Sequence, residues 1–196
     1  MMLRQTQLPV IDTPRCHLRL LEPHQADLML QFRLQNREHL TQWEPRRSRE
    51  FFSTPFWEIQ LRVALKDFRL GQSLCLVILD SAEEAVLGVC NYTNIVRGTF
   101  QSCHLGYALD HRHEGLGIMR EAVQASLAYV FNELRLHRVM ANYLPRNARS
   151  GKLLKELGFK IEGYGEQYLK INGRWEDHVL TALLNPLDAD LEACRT

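Results

Sequence analysis

The spacing of apolar residues changes along the chain, and each change predicts a different type of element. Residues 13–21 alternate between apolar and polar side chains, with Cys16, Leu18 and Leu20 on one face, which is typical of a strand. Two segments rich in helix formers follow, and the second begins with a Thr-Pro pair that favours a helix start. They predict helices at 23–36 and 54–71.

The middle of the chain returns to the two-residue period of strands. Three such segments, separated by short turns, predict an antiparallel meander at 74–79, 85–95 and 99–109. From there on, strands and helices alternate. The pattern predicts a loop, a helix, a strand, a second helix and a closing hairpin at 111–117, 118–133, 139–143, 147–157 and 159–184. The hairpin turns at Asn172-Gly173, a dipeptide that favours two-residue turns.

These elements predict an α/β (α+β) class, with a central mixed sheet of about seven strands, mostly antiparallel, flanked by helices. A chain of 196 residues can bury a sizeable core without a disulfide or a metal. We therefore expect one domain over 12–184, with 1–11 and 185–196 as flexible or peripheral termini.

Charge and cysteine usage narrow the class of protein. The formal net charge is +1, whereas nucleic-acid and membrane-surface proteins carry a strong basic excess, so we expect neither DNA nor a membrane as partner. The first twelve residues lack the pattern of a secretory signal, and no apolar run is long enough to span a bilayer. The five cysteines form no C-x-x-C pair, which is typical of reduced thiols and predicts a cytoplasmic protein.

The segment 112–119 carries the clearest chemical signal. It lies between a predicted strand and a predicted helix, and a helix N-terminus presents free amides that bind phosphate. Gly115 and Gly117 would let a diphosphate approach those amides, and Arg112 could add a charged contact. A purely structural helix cap is the alternative. A dinucleotide-binding fingerprint is disfavoured, because Arg120 stands where its third glycine belongs.

Two motifs in this order and spacing resemble those of the GNAT N-acetyltransferases. The first is R-x-x-G-x-G at 112–117, and the second is N-x-x-S followed by L-x-x-x-G-F at 147–159. Within this family, the chain resembles most the branch that acetylates ribosomal proteins at an N-terminal alanine. That similarity runs from about residue 12 to residue 184 and includes the Trp-Glu-Pro segment at 43–45.

The resemblance implies acetyl-CoA as cosubstrate and a sheet splayed between its fourth and fifth strands, where the pantetheine arm pairs with backbone like an extra strand. The implied cofactor-binding residues are Tyr107, Ala108 and Leu109 for pantetheine, Arg112, Gly115, Leu116, Gly117, Ile118 and Met119 for the diphosphate, Asn147 for the pantetheine arm, and Arg149 near the adenosine phosphates. For Arg149 an exposed, unbound position is the alternative. No metal is expected, since His111 and His113 have no third ligand nearby.

The resemblance also implies that the acceptor amine attacks the thioester directly. Many GNAT enzymes have a tyrosine as proton donor at the position where this chain has Leu154. In the ribosomal-protein branch the implied proton donor is a serine that matches Ser150. The alternative role of Ser150 is structural, as a residue inside a helix that hydrogen-bonds to its own backbone. Glu44 is the candidate base, with an exposed loop carboxylate as the alternative. Trp43, Asp177 and His178 are candidate contacts of the acceptor, and Asp177 and His178 are also alternative bases. The alternative for Trp43 is a packing role, and for Asp177 and His178 it is a strand or ion-pair role.

The acceptor class follows from proton chemistry and from the resemblance. An α-amine has a pKa of about 8 and lysine about 10.4, so at neutral pH deprotonation costs about 1 kcal/mol for the first and about 4 to 5 kcal/mol for the second. A site without a conspicuous base thus favours an N-terminal amine, and the resemblance implies that of a ribosomal protein, with possible ribosome association. A small amine as acceptor, or a non-catalytic role in ribosome assembly, are the alternatives. A basic run at 46–49 is either solvated or meets an acidic acceptor or ribosomal RNA.

Overall fold

The computed structural model describes residues 7–188, so the ends of both predicted termini, with Cys194, lie outside the described residues. The helices are α1 Ala26–Gln35, α2 Arg37–Thr41, α3 Thr54–Arg69, α4 Ile118–Asn132 and α5 Ala148–Glu156. The strands are β1 Val10–Asp12, β2 His17–Arg19, β3 Leu74–Leu79, β4 Val86–Val96, β5 Ser102–Leu109, β6 Arg138–Met140, β7 Lys160–Ile171 and β8 Arg174–Leu184. Short 3-10 turns lie at Pro23–Gln25, Glu50–Phe52 and His111–His113.

All strands belong to one sheet in the order β1-β2-β3-β4-β5-β6-β8-β7. Only β5 and β6 pair in parallel, and every other neighbouring pair is antiparallel. The predicted fold, a mixed and mostly antiparallel sheet with flanking helices, is therefore confirmed, with eight strands instead of about seven.

The additional strand is β1, which precedes the predicted strand 13–21, and the first part of that predicted strand is a turn that leads into β2. The backbone N–H and the hydroxyl of Thr13 both donate to the carbonyl of Cys16, at 3.0 and 2.6 Å. The chain therefore reverses at Pro14 and Arg15, and β1 pairs antiparallel with β2. β1 forms one edge of the sheet.

The predicted helix 23–36 is present as the 3-10 turn at Pro23–Gln25 and α1, and the helix breaks at Asn36, its predicted end. This buried side chain donates through Nδ2 to the carbonyl of Phe32 at 3.0 Å, and its Oδ1 accepts from the backbone N–H of His111 at 3.0 Å. The chain then continues as the short helix α2. The break thus connects the first helices to the loop after β5.

Helices cover both faces of the sheet, because successive residues of a strand point to opposite faces and pack there in two separate apolar clusters. In β3, Leu76 and Ile78 pack with α4, whereas Val77 and Leu79 pack with α1 and α3. Cys16, Cys90 and Cys103 are buried, Cys75 is half-buried, and all four are unpaired thiols. Trp57 is buried in the core, whereas Trp175, at the start of β8, is 60% exposed.

The splay predicted between the fourth and fifth strands is confirmed between β5 and β6. Their parallel pairing is limited to the three positions from Ser102 to His104. After Met140 the chain leaves β5 and follows β8, where the N–H of Tyr143 donates to the carbonyl of Val179 at 3.1 Å. The predicted strand 139–143 is thus shorter, and β5 keeps an open backbone edge from Leu105 onward.

Within the described range 7–188, no helix is both long and apolar enough to cross a bilayer.

Candidate active site

The loop that follows β5 is anchored by a buried carboxylate. Asp110 is 1% exposed, and it accepts hydrogen bonds from the backbone N–H of Arg112 at 2.9 Å and from its Nη2 at 2.6 Å. Burial opposes ionisation, but the hydrogen bonds from Arg112 outweigh it and hold the pKa of Asp110 well below its ordinary value. The charged Asp110 therefore fixes the start of the loop.

Two glycines give this loop its shape. Gly115 and Gly117 have φ of 75° and 78°, a left-handed conformation that side chains rarely adopt. A Cβ at Gly115 would have no atom within 4 Å, so the loop borders open space there. Gly117 is the N-cap of α4 and supplies no capping side chain. The first amides of α4 therefore have no capping side chain, and a helix N-terminus of this kind can bind an anion.

The carbonyl of Leu116, within this loop, accepts a hydrogen bond from a residue near the N-terminus. Arg15 donates to it through Nη1 at 2.6 Å, and its Nε donates to Glu121 in the first turn of α4 at 2.7 Å. Arg15 thus places a half-exposed guanidinium beside Gly117. Ile118 and Met119, the first residues of α4, turn their side chains into the core.

Both arginines predicted to contact phosphates are engaged with protein groups. Besides Asp110, Arg112 donates through Nη2 to Gln35 at 2.8 Å. Arg149 forms an ion pair with Glu114, whose other oxygen lies 3.2 Å from Nε2 of His39. Both guanidinium groups remain more than half exposed, so their roles as phosphate contacts stay predictions.

The splay brings together the predicted pantetheine edge and the predicted proton donor. The hydroxyl of Tyr107 in β5 lies 2.7 Å from that of Ser150 in α5. Asn147 is the N-cap of α5, and its Oδ1 accepts from the backbone N–H of Ser150 at 3.1 Å. Burial raises the pKa of Tyr107, so its hydroxyl stays protonated. Ala108 and Leu109 continue the same open edge of β5.

Glu44, the candidate base, is held by two arginines. Its Oε1 accepts from Arg33 at 2.7 Å and its Oε2 from Arg47 at 2.9 Å. Burial would raise the pKa of Glu44, but the two guanidinium charges prevail and lower it. A carboxylate in this state is a weak base, and sequence reasoning missed the pairing because Arg33 lies in a different element.

The other predicted acceptor residues surround the same region. Trp43 is half-buried, and the guanidinium of Arg146 lies 5.7 Å from its ring centroid. Arg146 also reaches Glu176 at 2.9 Å and the carbonyl of Gln42 at 3.3 Å. The loop that contains Trp43 is therefore tied to β8 and to the residue preceding Asn147.

Asp177 and His178 have structural partners. Asp177 accepts from the hydroxyl of Tyr164 at 2.7 Å and from the N–H of Gln167 at 2.8 Å, and so holds the irregular stretch of β7. His178 is 3% exposed, and its Nδ1 lies 3.0 Å from the carbonyl of Glu176. Both acceptor assignments stay predictions.

Among residues 7–188 the structure gathers no group of three His, Cys, Asp or Glu side chains that could hold a metal. The two loop histidines flank Arg112, and His111 lies 3.0 Å through Nδ1 from Oδ1 of Asn36.

The sequence matches the Acetyltransferase (GNAT) domain family over residues 15–160. The chain belongs to this family. It is 39% identical over 176 residues to the ribosomal protein uS5-alanine N-acetyltransferase of Escherichia coli, covering 90% of this chain and 91% of that protein.

Two solved structures support the GNAT assignment. Ribosomal-protein-S5-alanine acetyltransferase from Vibrio fischeri superposes with a TM-score of 0.87 at 38% identity, covering 91% of this chain and 97% of that one. RimJ of Mycobacterium smegmatis in complex with CoA-disulfide gives a TM-score of 0.82 at 27% identity, covering 90% and 86%. The resemblance stated from the two motifs is confirmed at the level of family and fold.

Several residues that shape this GNAT site had no signal in the motifs. Asp110 directly follows the β5 pattern, and an acidic residue at the end of a strand could have marked it. Tyr107 was predicted only as a backbone contact, although its hydroxyl is what meets Ser150. Arg15 and Arg146 act over 101 and 104 residues of sequence, which no local pattern reveals.

Proposed function

We propose that the protein transfers an acetyl group from acetyl-CoA to the N-terminal α-amine, first of all of alanine, of a ribosomal protein. The observation that carries this proposal is the 39% identity, over nine-tenths of the chain, to an enzyme named for ribosomal protein uS5-alanine. The similarity extends on both sides of the cofactor motifs and so includes the acceptor side.

Acetyl-CoA supplies an activated acyl carbonyl on a thioester, and residues of this chain are arranged to hold it. The amides from Gly115 to Met119 would receive the diphosphate, and the open edge of β5 at Tyr107–Leu109 would pair with the pantetheine arm. Arg112 and Arg149 are exposed cations beside this path. The bare glycines and the one-sided pairing of β5 support this placement.

The reaction proposed is direct attack within a ternary complex. The neutral amine forms a C–N bond to the acyl carbon, the C–S bond breaks, and the departing sulfur takes a proton from Ser150. Ser150 regains that proton from Tyr107, which solvent reprotonates; their 2.7 Å separation supports this path. The attacking nitrogen becomes positively charged, and the proton that it must lose to give the amide leaves through water or Glu44, the candidate base. The depressed pKa of Glu44 favours the water path.

The proposal is tested by the intact mass of recombinant uS5 after incubation with the protein and acetyl-CoA. Gain of one acetyl group, mapped to the N-terminal peptide, is expected. The same peptide with a formylated N-terminus is the control and should stay unmodified. No mass gain on the free N-terminus, under conditions in which acetyl-CoA binds, would remove the substrate assignment.

Two other functions are separated by related measurements. An acetyltransferase for small amines would modify polyamines or aminoglycosides and ignore peptides with a free N-terminus. A role in ribosome assembly without turnover would survive Gly117→Glu, which blocks the amides of α4. We propose a cytoplasmic location, with ribosome association tested by co-sedimentation.

A further inference from the structure

A cavity of about 340 Å³ lies beside the loop that contains Glu44, between α2 and the 3-10 turn at Glu50–Phe52. Its lining carries five arginines and one carboxylate, Arg33, Arg37, Arg46, Arg47, Arg49 and Glu44. Glu44 is already shared by Arg33 and Arg47. The other three arginines have no ion-pair partner among residues 7–188. The cavity therefore concentrates positive charge in a chain whose net charge is only +1.

One of these cations is built into the protein interior. Arg33 is 6% exposed and is surrounded by the rings of Phe32, Phe51 and Trp57, at 5.2 to 5.6 Å from their centroids. Its buried Nε has no hydrogen-bond partner within the described part of the chain. Leaving a buried donor unsatisfied is unfavourable, so the inner wall of the cavity keeps a guanidinium group that protein groups satisfy only in part.

Two further arginines of the cavity lining stack against aromatic rings. The guanidinium of Arg37 lies 4.5 Å from the ring centroid of Phe52, and that of Arg47 lies 4.5 Å from the centroid of Phe51. A guanidinium stacked in this way can still offer its N–H edge to a carboxylate or phosphate. Because these rings are covered, they cannot serve as stacking platforms for nucleic-acid bases.

The cavity is connected to the acceptor side of the active site. Asn172, at the tip of the β7–β8 hairpin, lines it and donates its backbone N–H to the carbonyl of Glu44 at 2.9 Å. Two residues before Glu44, the carbonyl of Gln42 accepts from Arg146, which precedes Asn147 and α5. These contacts join the wall of the cavity to the start of α5, the helix that carries Ser150.

We propose that this arginine cavity is a specificity subsite that binds the carboxylate side chains of an acidic segment of the acceptor polypeptide. The inference rests on the proposed function, since it concerns the same acceptor. A small cavity lined with arginines suits compact carboxylates, which pair with guanidinium groups in two-point contacts. Ribosomal RNA is the less favoured ligand, because the rings are covered and the basic surface is not extended.

The test uses the full-length protein and octapeptides that begin with alanine. One set carries a pair of glutamates at successive positions, and a matched set carries glutamines there. The double variant Arg37→Gln/Arg49→Gln replaces two lining arginines that have no ion-pair partner among residues 7–188. It is compared with Arg62→Gln, which removes an exposed charge from α3 outside the cavity. Peptide affinity is measured by fluorescence anisotropy, and KM and kcat are measured for acetylation.

For at least one glutamate peptide, we expect tighter binding than for its glutamine counterpart. The double variant should raise KM for that peptide about tenfold, the loss of two charge-assisted contacts, and leave kcat and the glutamine peptides unchanged. Arg62→Gln should behave as wild type. The KM for acetyl-CoA should stay the same, because the coenzyme is placed at the other loop.

Three results would overturn the inference. Equal KM values for glutamate and glutamine peptides throughout the set would exclude an acidic acceptor segment while leaving N-terminal acetylation intact. A changed KM for acetyl-CoA would assign the cavity to the coenzyme. Binding of an octamer of uridylate that the double variant abolishes, with no preference for glutamate peptides, would assign it to RNA. If no peptide is acetylated, the proposed function fails, and anisotropy still decides whether the cavity binds carboxylates.

Discussion

The hydroxyl of Tyr107 lies 2.7 Å from the hydroxyl of Ser150, and the contact joins β5 to α5 at the place where β5 and β6 part. A second pair of the same type, Tyr92 and Ser126 at 2.8 Å, is buried beneath the sheet. The molecule thus contains one tyrosine–serine pair at the proposed reaction centre and one in the core. The second is a natural control for the first.

Replacing Ser150 with alanine should lower kcat about a hundredfold, the usual contribution of a general acid, while the Kd for acetyl-CoA stays unchanged. Tyr107→Phe removes the hydroxyl that orients Ser150 and returns its proton. Because water can still return that proton, kcat should fall only about fivefold, the value of one hydrogen bond. Ser126→Ala should lower the free energy of unfolding and leave kcat unchanged. Steady-state kinetics and denaturant titrations check all three, and wild-type turnover by Ser150→Ala would exclude Ser150 as donor.

Gly117→Glu should abolish acetyl-CoA binding, because a carboxylate would occupy the N-terminus of α4 and repel the diphosphate. The matched control is Gly98→Glu, at a turn with φ of 74° and no atom within 4 Å of an added Cβ. Both variants bear similar backbone strain. Acetyl-CoA at a hundred times its Kd should stabilise the wild type and Gly98→Glu by about 2.7 kcal/mol. Stabilisation of Gly117→Glu to the same extent would mean that the coenzyme binds elsewhere.

Glu44→Gln should destabilise the fold more than it changes the chemistry. It leaves the buried guanidinium of Arg33 without its counter-ion, so the free energy of unfolding should fall by about 3 kcal/mol. We expect kcat/KM to rise with pH toward the pKa of the acceptor amine, about 8, in both proteins. A folded Glu44→Gln variant with kcat reduced a hundredfold and an altered pH profile would instead identify Glu44 as the base.

Asp110 predicts how stability depends on pH. Its folded pKa lies below the unfolded value, so its contribution is present above about pH 4 and is lost as the pH falls below that. Asp110→Asn should remove this dependence, lower the free energy of unfolding by about 1 to 3 kcal/mol and weaken acetyl-CoA binding by loosening the loop. Urea titrations between pH 3 and pH 7, each about one unit apart, measure the first effect. Identical pH slopes for the variant and the wild type would contradict the assignment.

Elements whose signals are local were predicted well from the sequence. The bounds of β3 match the prediction, α4 begins where Gly117 predicted, and the hairpin turns at Asn172 and Gly173, which both have positive φ. Alternation of apolar residues and turn chemistry are properties of a few neighbouring residues, and these suffice for such elements.

Features that depend on distant residues were not predicted. The predicted strand 13–21 begins as a turn because Thr13 bonds to Cys16. The unpredicted helix α2 follows Asn36, whose side chain meets His111, 75 residues away. The choice of Glu44 as base considered its loop and not Arg33, which neutralises it from α1. Charges and hydrogen bonds across the fold decide these points, and a single sequence does not display them.

Because Arg15 holds the carbonyl of Leu116, we expect the hairpin of β1 and β2 to contribute to coenzyme affinity. This contact forms only when two segments 101 residues apart in the sequence have met. During refolding, recovery of acetyl-CoA binding should therefore lag behind the formation of α4 and coincide with the docking of the N-terminal hairpin.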